Sequence, residues 1–117
     1  MEQSKIAEHF EFIQMTFNLS DEQFLQVMKT THEVIEQCRE TNTINNAALK
    51  KRYIDLYLTA QDWRQQGYPI LYHIHNQLSP RGENILNLLC NDPLNRNLVM
   101  YLGRCIVREL AENNPND

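Results

Sequence analysis

Apolar side chains recur every three or four residues through most of this chain, and this spacing is what most constrains its fold. In residues 4–17 the positions Ile6, Phe10, Ile13 and Phe17 follow a four-three-four spacing, which places them on one face of an α-helix. No segment alternates apolar and polar residues for long enough to favour a β-strand. The spacing therefore predicts an all-α protein.

Cap residues and a glycine set the bounds of two further predicted helices. Ser20, with Gln23 three residues later, has the sequence of a capping box, in which each side chain accepts a hydrogen bond from the other residue's amide. It predicts a second helix over residues 20–40 with one apolar face: Phe24, Val27, Met28, Thr31, Val34, Ile35 and Cys38. A third helix is predicted over residues 46–66. Gly67 would end it, because glycine tolerates the positive φ common at helix ends.

Prolines indicate three more helix starts in the second half of the chain. Pro69, Pro80 and Pro93 suit the first position of a helix, where no backbone N–H is needed, and the last two follow a Ser and an Asp that can act as caps. They predict three helices, over residues 69–78, 79–89 and 93–111.

Together these patterns predict an all-α, compact bundle of five or six helices. A chain of 117 residues suits a single domain, which we expect to occupy residues 1–112. The polar segment 113–117 is predicted to be a disordered C-terminal tail.

The chain is acidic overall, but its charge is unevenly distributed. The formal net charge is −4. Residues 1–42 have three basic and eight acidic side chains, whereas residues 43–108 have eight basic and four acidic ones. No apolar run reaches the roughly 20 residues that span a bilayer, and the first residues lack the pattern of a secretion signal. Three cysteines without CxxC spacing are typical of reduced thiols, so we expect a cytoplasmic protein with no membrane partner.

No residue pattern indicates a catalytic, cofactor or metal site. His73 and His75 lie in a predicted helix, where positions two apart point about 200° apart and cannot share one metal ion. The chain has no GxSxG, P-loop or GxGxxG sequence, and it has only three glycines from which to form one. We therefore expect a non-enzymatic protein without a cofactor.

Residues 78–89 resemble the opening helix of a helix-turn-helix domain of the response-regulator kind. The resemblance stops there, because a turn at Gly103 would place Arg104 where the motif needs an apolar residue. Two later core positions would fall on Glu109 and Glu112. No family is assigned on this basis.

Four apolar residues lie away from the predicted core faces. Phe12 and Met15 point away from the core side of the first helix, and Ile54 and Leu58 lie opposite the main apolar face of the third. A domain of this size has little room to bury them as well. We expect them to bind a protein partner, either a second copy in a homo-oligomer or a subunit of a larger assembly in which this chain is an adaptor.

The predicted sixth helix is apolar on nearly every side. Its polar stripe is narrow and consists of Asn97, Arg104 and Arg108, with Arg96 apart from it. A helix of this kind is either central in a bundle or buried in an interface. We expect the central position, and burial against a second chain is the alternative.

A basic cluster supports a second hypothesis, in which the chain contacts nucleic acid as a small subunit of a nucleoprotein complex. Lys50, Lys51 and Arg52 begin the third predicted helix, Arg64 lies near its end, and tyrosines are interleaved with them. Basic side chains can neutralise phosphates while tyrosines stack on bases. The acidic net charge argues against a freestanding nucleic-acid binder.

Overall fold

The computed structural model describes residues 5–68 and 85–112, and for residues 109–112 it describes the backbone alone. Within these ranges the protein has six α-helices and no strand, which confirms the predicted all-α helical bundle. The helices are α1 (Lys5–Thr16), α2 (Asp21–Met28), α3 (His32–Thr41), α4 (Ala47–Gln65), α5 (Ile85–Cys90) and α6 (Arg96–Glu112). The predicted helix over residues 69–78, the start of the fifth and the tail at 113–117 lie outside the described residues.

The longest helix, α4, is the centre of the described bundle. It packs against α1, α2 and α6, whereas α6 packs mainly against α4 and α5. One side of α6 faces outward, where Asn97, Tyr101, Arg104 and Arg108 are exposed. The central position predicted for the sixth helix therefore belongs to α4, because α4 is the helix flanked by others on several sides.

Aromatic and aliphatic side chains from all six helices form one core. Its largest fully buried members include Trp63 of α4, Phe10 of α1 and Phe17, which follows α1 directly. The rings of Phe17 and Trp63 meet edge to face with centroids 5.4 Å apart. Such ring pairs stabilise a fold by more than the burial of their surface area alone would. This pair fixes the end of α1 against the end of α4.

The predicted second helix is two helices. Lys29 adopts a left-handed conformation with φ of 59°, and α2 ends there. The amides of Lys29 and Thr30 donate to the carbonyls of Gln26 and Leu25, which is the hydrogen-bond pattern of a Schellman motif. Thr31 then caps α3 by accepting a hydrogen bond from the amide of Val34. The prediction of one continuous helix was wrong because the apolar spacing continues across the break.

Local cap chemistry sets the other boundaries near α2 and α4. The capping box of Ser20 and Gln23 is present with both of its hydrogen bonds. Asn46 caps α4 by accepting from the amide of Leu49, and Gly67 follows the helix with φ of 75°. The third predicted helix is therefore confirmed within one residue at each end.

The last helix begins later than its proline suggests. Pro93 follows a cis peptide bond and precedes the helix. The side chain of Asn95 accepts a hydrogen bond from the amide of Leu98, so Asn95 acts as the cap instead of Asp92. Gly103 lies inside α6, so the chain makes no helix-turn-helix turn there.

Candidate interaction surface

Three of the four apolar residues expected to bind a partner are exposed on α1 and α4. The side chain of Met15 is 55% exposed, that of Ile54 is 42% exposed and that of Leu58 is 38% exposed. Phe12 differs, because it is half-buried and packs against the edge of the core. Helical spacing alone indicates an outward direction for all four, but it does not reveal which neighbour covers Phe12.

Phe12 lies in the seam between α1 and α4. Its ring meets that of Tyr57 edge to face, with centroids 5.6 Å apart, and the guanidinium of Arg64 lies 5.1 Å from the Phe12 ring centre. Nε of Arg64 also donates to the hydroxyl of Thr16 over 2.9 Å. Ring packing and a cation–π contact therefore hold the seam together. Phe12 remains partly exposed to solvent there.

These side chains form one surface across the two helices. Phe12 and Met15 are three residues apart on α1, and Ile54 lies three and four residues before Tyr57 and Leu58 on α4, so each set shares a helix face. The ring contact between Phe12 and Tyr57 joins the two sets. We call this surface, made of Phe12, Met15, Ile54, Tyr57 and Leu58, the α1–α4 face.

A histidine–tyrosine cluster lies beside this face and has no counterpart in the sequence-based predictions. The His9 ring stacks on Tyr57 with centroids 3.9 Å apart, and Nδ1 of His9 is hydrogen-bonded to the hydroxyl of Tyr53. Burial lowers the pKa of His9, Lys5 lowers it further, and Glu8 partly opposes this. The contacts join residues more than forty positions apart, and helix periodicity gives no signal for them.

The two helices of the face have opposite charges along their exposed edges. Glu8 and Glu11 are exposed on α1, whose first residue Lys5 is also exposed, while Lys50 and Lys51 are exposed on the first turns of α4. Glu8, Glu11 and Met15 fall on the outer side of α1 by helical spacing, and Lys50, Lys51 and Ile54 fall on the outer side of α4. An acidic edge and a basic edge therefore flank the same apolar strip.

Arg52 has an interior position, unlike the other residues of the predicted basic cluster. It is 7% exposed, and its guanidinium donates to the carbonyls of Val27, Leu89 and Asn91. Burial lowers the pKa of Arg52, an effect that Asp92 and other groups partly offset. These contacts remove Arg52 from the exposed cluster. Arg64 contacts Phe12 and Thr16 but is exposed, so Lys50, Lys51 and Arg64 are the exposed cations of the cluster.

A groove of about 410 Å³ lies where the α2–α3 turn, the start of α4 and the loop before α6 meet. Lys29, Asn46, Lys51, Asp55 and Asp92 are among the residues that line it. Its cations and carboxylates are interspersed, so it presents no field of one sign to a charged ligand.

The described residues contain neither a cluster of three potential metal ligands nor a helix long and apolar enough to cross a membrane. His73 and His75 lie outside the described residues. The three cysteines are free, and burial raises the pKa of the Cys38 and Cys90 thiols, which disfavours the reactive thiolate. Comparisons with protein-family models, with curated proteins and with solved structures each return no match to this chain.

Proposed function

We propose that this chain is a non-enzymatic helical interaction module that binds a protein partner through the α1–α4 face. The observation that carries the proposal is the exposure of Met15, Ile54 and Leu58 on two helices that the Phe12–Tyr57 contact joins. Contiguous exposed apolar surface on a folded domain commonly marks an interface. The partner is either another copy of the chain or a subunit of a larger assembly.

The energetics of the face suit binding. Full burial of an aliphatic side chain is worth about 1.5–3 kcal/mol, so covering the exposed parts of these three residues contributes about 1 kcal/mol each. Phe12 and Tyr57 are already ordered by their contact, and this lowers the entropic cost of binding. The free thiols of the three cysteines suit the reducing cytoplasm, which we propose as the location.

Leu58→Asp tests the proposal, because a carboxylate at the centre of the face opposes burial there. The full-length protein and the variant are compared by size-exclusion chromatography with light scattering over a range of concentrations. We expect the wild-type chain to form an assembly and the variant to lose it while its circular dichroism remains helical. A wild-type chain that forms no assembly with itself or with another protein, or an assembly that Leu58→Asp leaves intact, would overturn the proposal.

Val107→Asp is the matched control, since Val107 is 40% exposed but lies on α6, away from the α1–α4 face. It should leave the assembly unchanged. If Leu58→Asp unfolds the chain, Met15→Asp provides the same test at the most exposed position of the face. Unfolding by both variants would show that the residues belong to an internal core and would remove the proposal.

A second candidate function is contact with nucleic acid inside a nucleoprotein complex. Tyr101 is 44% exposed on α6, and the exposed Arg104 and Arg108 follow it on the same face, so an aromatic ring and two cations share one surface. Lys50 and Lys51 are a second pair of exposed cations. This function predicts binding to single-stranded RNA or DNA that weakens steeply with salt. Absent or salt-independent binding would exclude it.

A further inference from the structure

The two helices of the α1–α4 face run in the same direction. His9 of α1 contacts Tyr53 and Tyr57 of α4, and about two turns further along α1, Thr16 contacts Arg64. Residues early in α1 are therefore level with the first half of α4, and residues late in α1 are level with its second half.

This direction fixes which charges share a level on the face. Glu8 adjoins His9, which contacts both Tyr53 and Tyr57, so Glu8 lies about one helical turn beyond the level of Lys50 and Lys51, and the exposed Lys5 is near that level. The acidic edge of α1 therefore begins about one helical turn beyond the basic edge of α4, and the seam separates the two edges.

We propose that the partner of the α1–α4 face is a second copy of this chain, related by a two-fold axis that runs along the seam. This inference rests on the proposed function. Rotation by 180° about such an axis keeps every residue at its level and exchanges left for right. The α1 of each copy then packs on the α4 of the other copy, in the same direction.

Charge complementarity selects this arrangement. It brings Glu8 of one copy within about one helical turn of Lys50 and Lys51 of the other copy, with Glu11 about one turn further along, and the contact occurs twice because the interface is isologous. An axis perpendicular to the helices would instead place α1 on α1 and α4 on α4, so that like charges would face each other. Complementary potentials favour the first docking and oppose the second.

The apolar residues suit the same arrangement. Met15 precedes Thr16, which contacts Arg64, so Met15 is within about two helical turns of the level of Leu58. Across the two-fold axis Met15 therefore lies about one to two helical turns beyond Leu58 of the other copy. Phe12 and Tyr57 lie in the seam and meet their own counterparts near the axis.

The size of the face predicts how the dimer behaves. With 12 residues, α1 is about 18 Å long, and two helices side by side are about 20 Å wide. This surface is smaller than the roughly 800 Å² per partner of a standard interface. We therefore expect a dimer that dissociates on dilution, and this makes its equilibrium measurable by sedimentation.

Charge reversal tests the pairing by sedimentation equilibrium on the full chain. Glu8→Lys with Glu11→Lys should weaken dimerisation about tenfold or more, because α1 and the opposing α4 would both be basic. Lys50→Glu with Lys51→Glu should weaken it similarly. The chain carrying all four substitutions should dimerise again, because its two edges are complementary once more.

Glu22→Lys with Glu33→Lys is the matched control. Both residues are exposed glutamates in the first turns of α2 and α3, so the pair makes the same charge change outside the face. It should leave the dimer intact.

Three results would overturn the pairing. The first is a dimer indifferent to the reversals, and the second is the absence of restoration in the fourfold variant. The third is an assembly in which the partner is a different protein. If Leu58→Asp still dissociates the assembly in these cases, the proposed interaction module is retained. Only the identification of its partner as a second copy of the chain is then rejected. A wild-type chain that is monomeric at every concentration and binds no partner would overturn both the interaction module and the pairing of two copies.

Discussion

Nε of Arg52 donates a hydrogen bond to the carbonyl oxygen of Val27, which lies 25 residues earlier in the last turn of α2. The same guanidinium donates through Nη1 to the carbonyl of Asn91 over 2.9 Å and through Nη2 to that of Leu89. Leu89 is in the last turn of α5, and Asn91 follows that helix. One cation of α4 therefore satisfies carbonyls at two helix ends, where the helix dipole also favours positive charge.

Arg52→Met tests this structural role, because methionine retains an apolar stem and removes every donor. We expect the free energy of unfolding to fall by about 2–4 kcal/mol, since buried carbonyls lose their partners. The measurement is urea denaturation followed by circular dichroism. The neighbouring exposed Lys51 provides the control, and Lys51→Met should change stability by less than about 0.5 kcal/mol. Equal effects of the two substitutions would contradict the role of Arg52.

Gly103 allows α6 to approach the end of α4 closely. A Cβ atom added at this position would lie 2.5 Å from Cδ2 of Tyr68 and 2.9 Å from Cζ3 of Trp63. Trp63 is fully buried and has no room to move. Gly103→Ala should therefore lower the thermal midpoint, with overpacking costing about 1–3 kcal/mol against a gain of about 1 kcal/mol in helix propensity. Asn97→Ala at an exposed position of α6 is the control, and a stabilised Gly103→Ala would show that the contact is absent.

The His9 cluster predicts a pH dependence of stability. Burial and Lys5 lower the pKa of His9 from its ordinary value of 6.5, so the unfolded chain binds a proton at a higher pH than the folded one. The contribution of neutral His9 to the free energy of unfolding is complete above pH 6.5. It declines as the pH falls from 6.5 to the lower pKa that His9 has in the folded chain. His9→Phe keeps a ring against Tyr57 and should reduce the loss of stability between pH 7.5 and pH 5.

Urea midpoints at several pH values measure this effect. His32→Gln, on an exposed residue of α3, should retain the wild-type pH dependence. A curve for His9→Phe that runs parallel to the wild-type curve would contradict the lowered pKa.

The sequence predicts the parts of the fold that depend on chemistry within four residues. The capping box at Ser20, the Asn46 cap and the glycine after α4 are all local, and the structure has each of them. It does not predict the break at Lys29, because lysine is a good helix former and has no special tendency toward positive φ. The later start of α6 was missed because Asn95 and Asp92 are equally good caps.

The candidate surface was predictable only in part, for a related reason. Helical spacing indicates that Met15, Ile54 and Leu58 point outward, and the structure places them at the surface. The contacts of His9 with Tyr53 and those of Arg52 join residues 25 to 44 positions apart. Such pairs depend on how the helices are arranged in space, and the residue spacing of a single helix holds no information about that arrangement.

Lys29→Gly distinguishes the observed break from a continuous helix. In an uninterrupted helix, glycine at this exposed position would cost about 1 kcal/mol. At a left-handed helix end with φ of 59°, glycine instead relieves the strain on the lysine backbone, so we expect the free energy of unfolding to stay level or to rise by up to about 1 kcal/mol. The measurement is chemical denaturation. Gln26→Gly, at an exposed position inside α2, should lose about 1 kcal/mol, and a similar loss for Lys29→Gly would show that α2 and α3 are one helix.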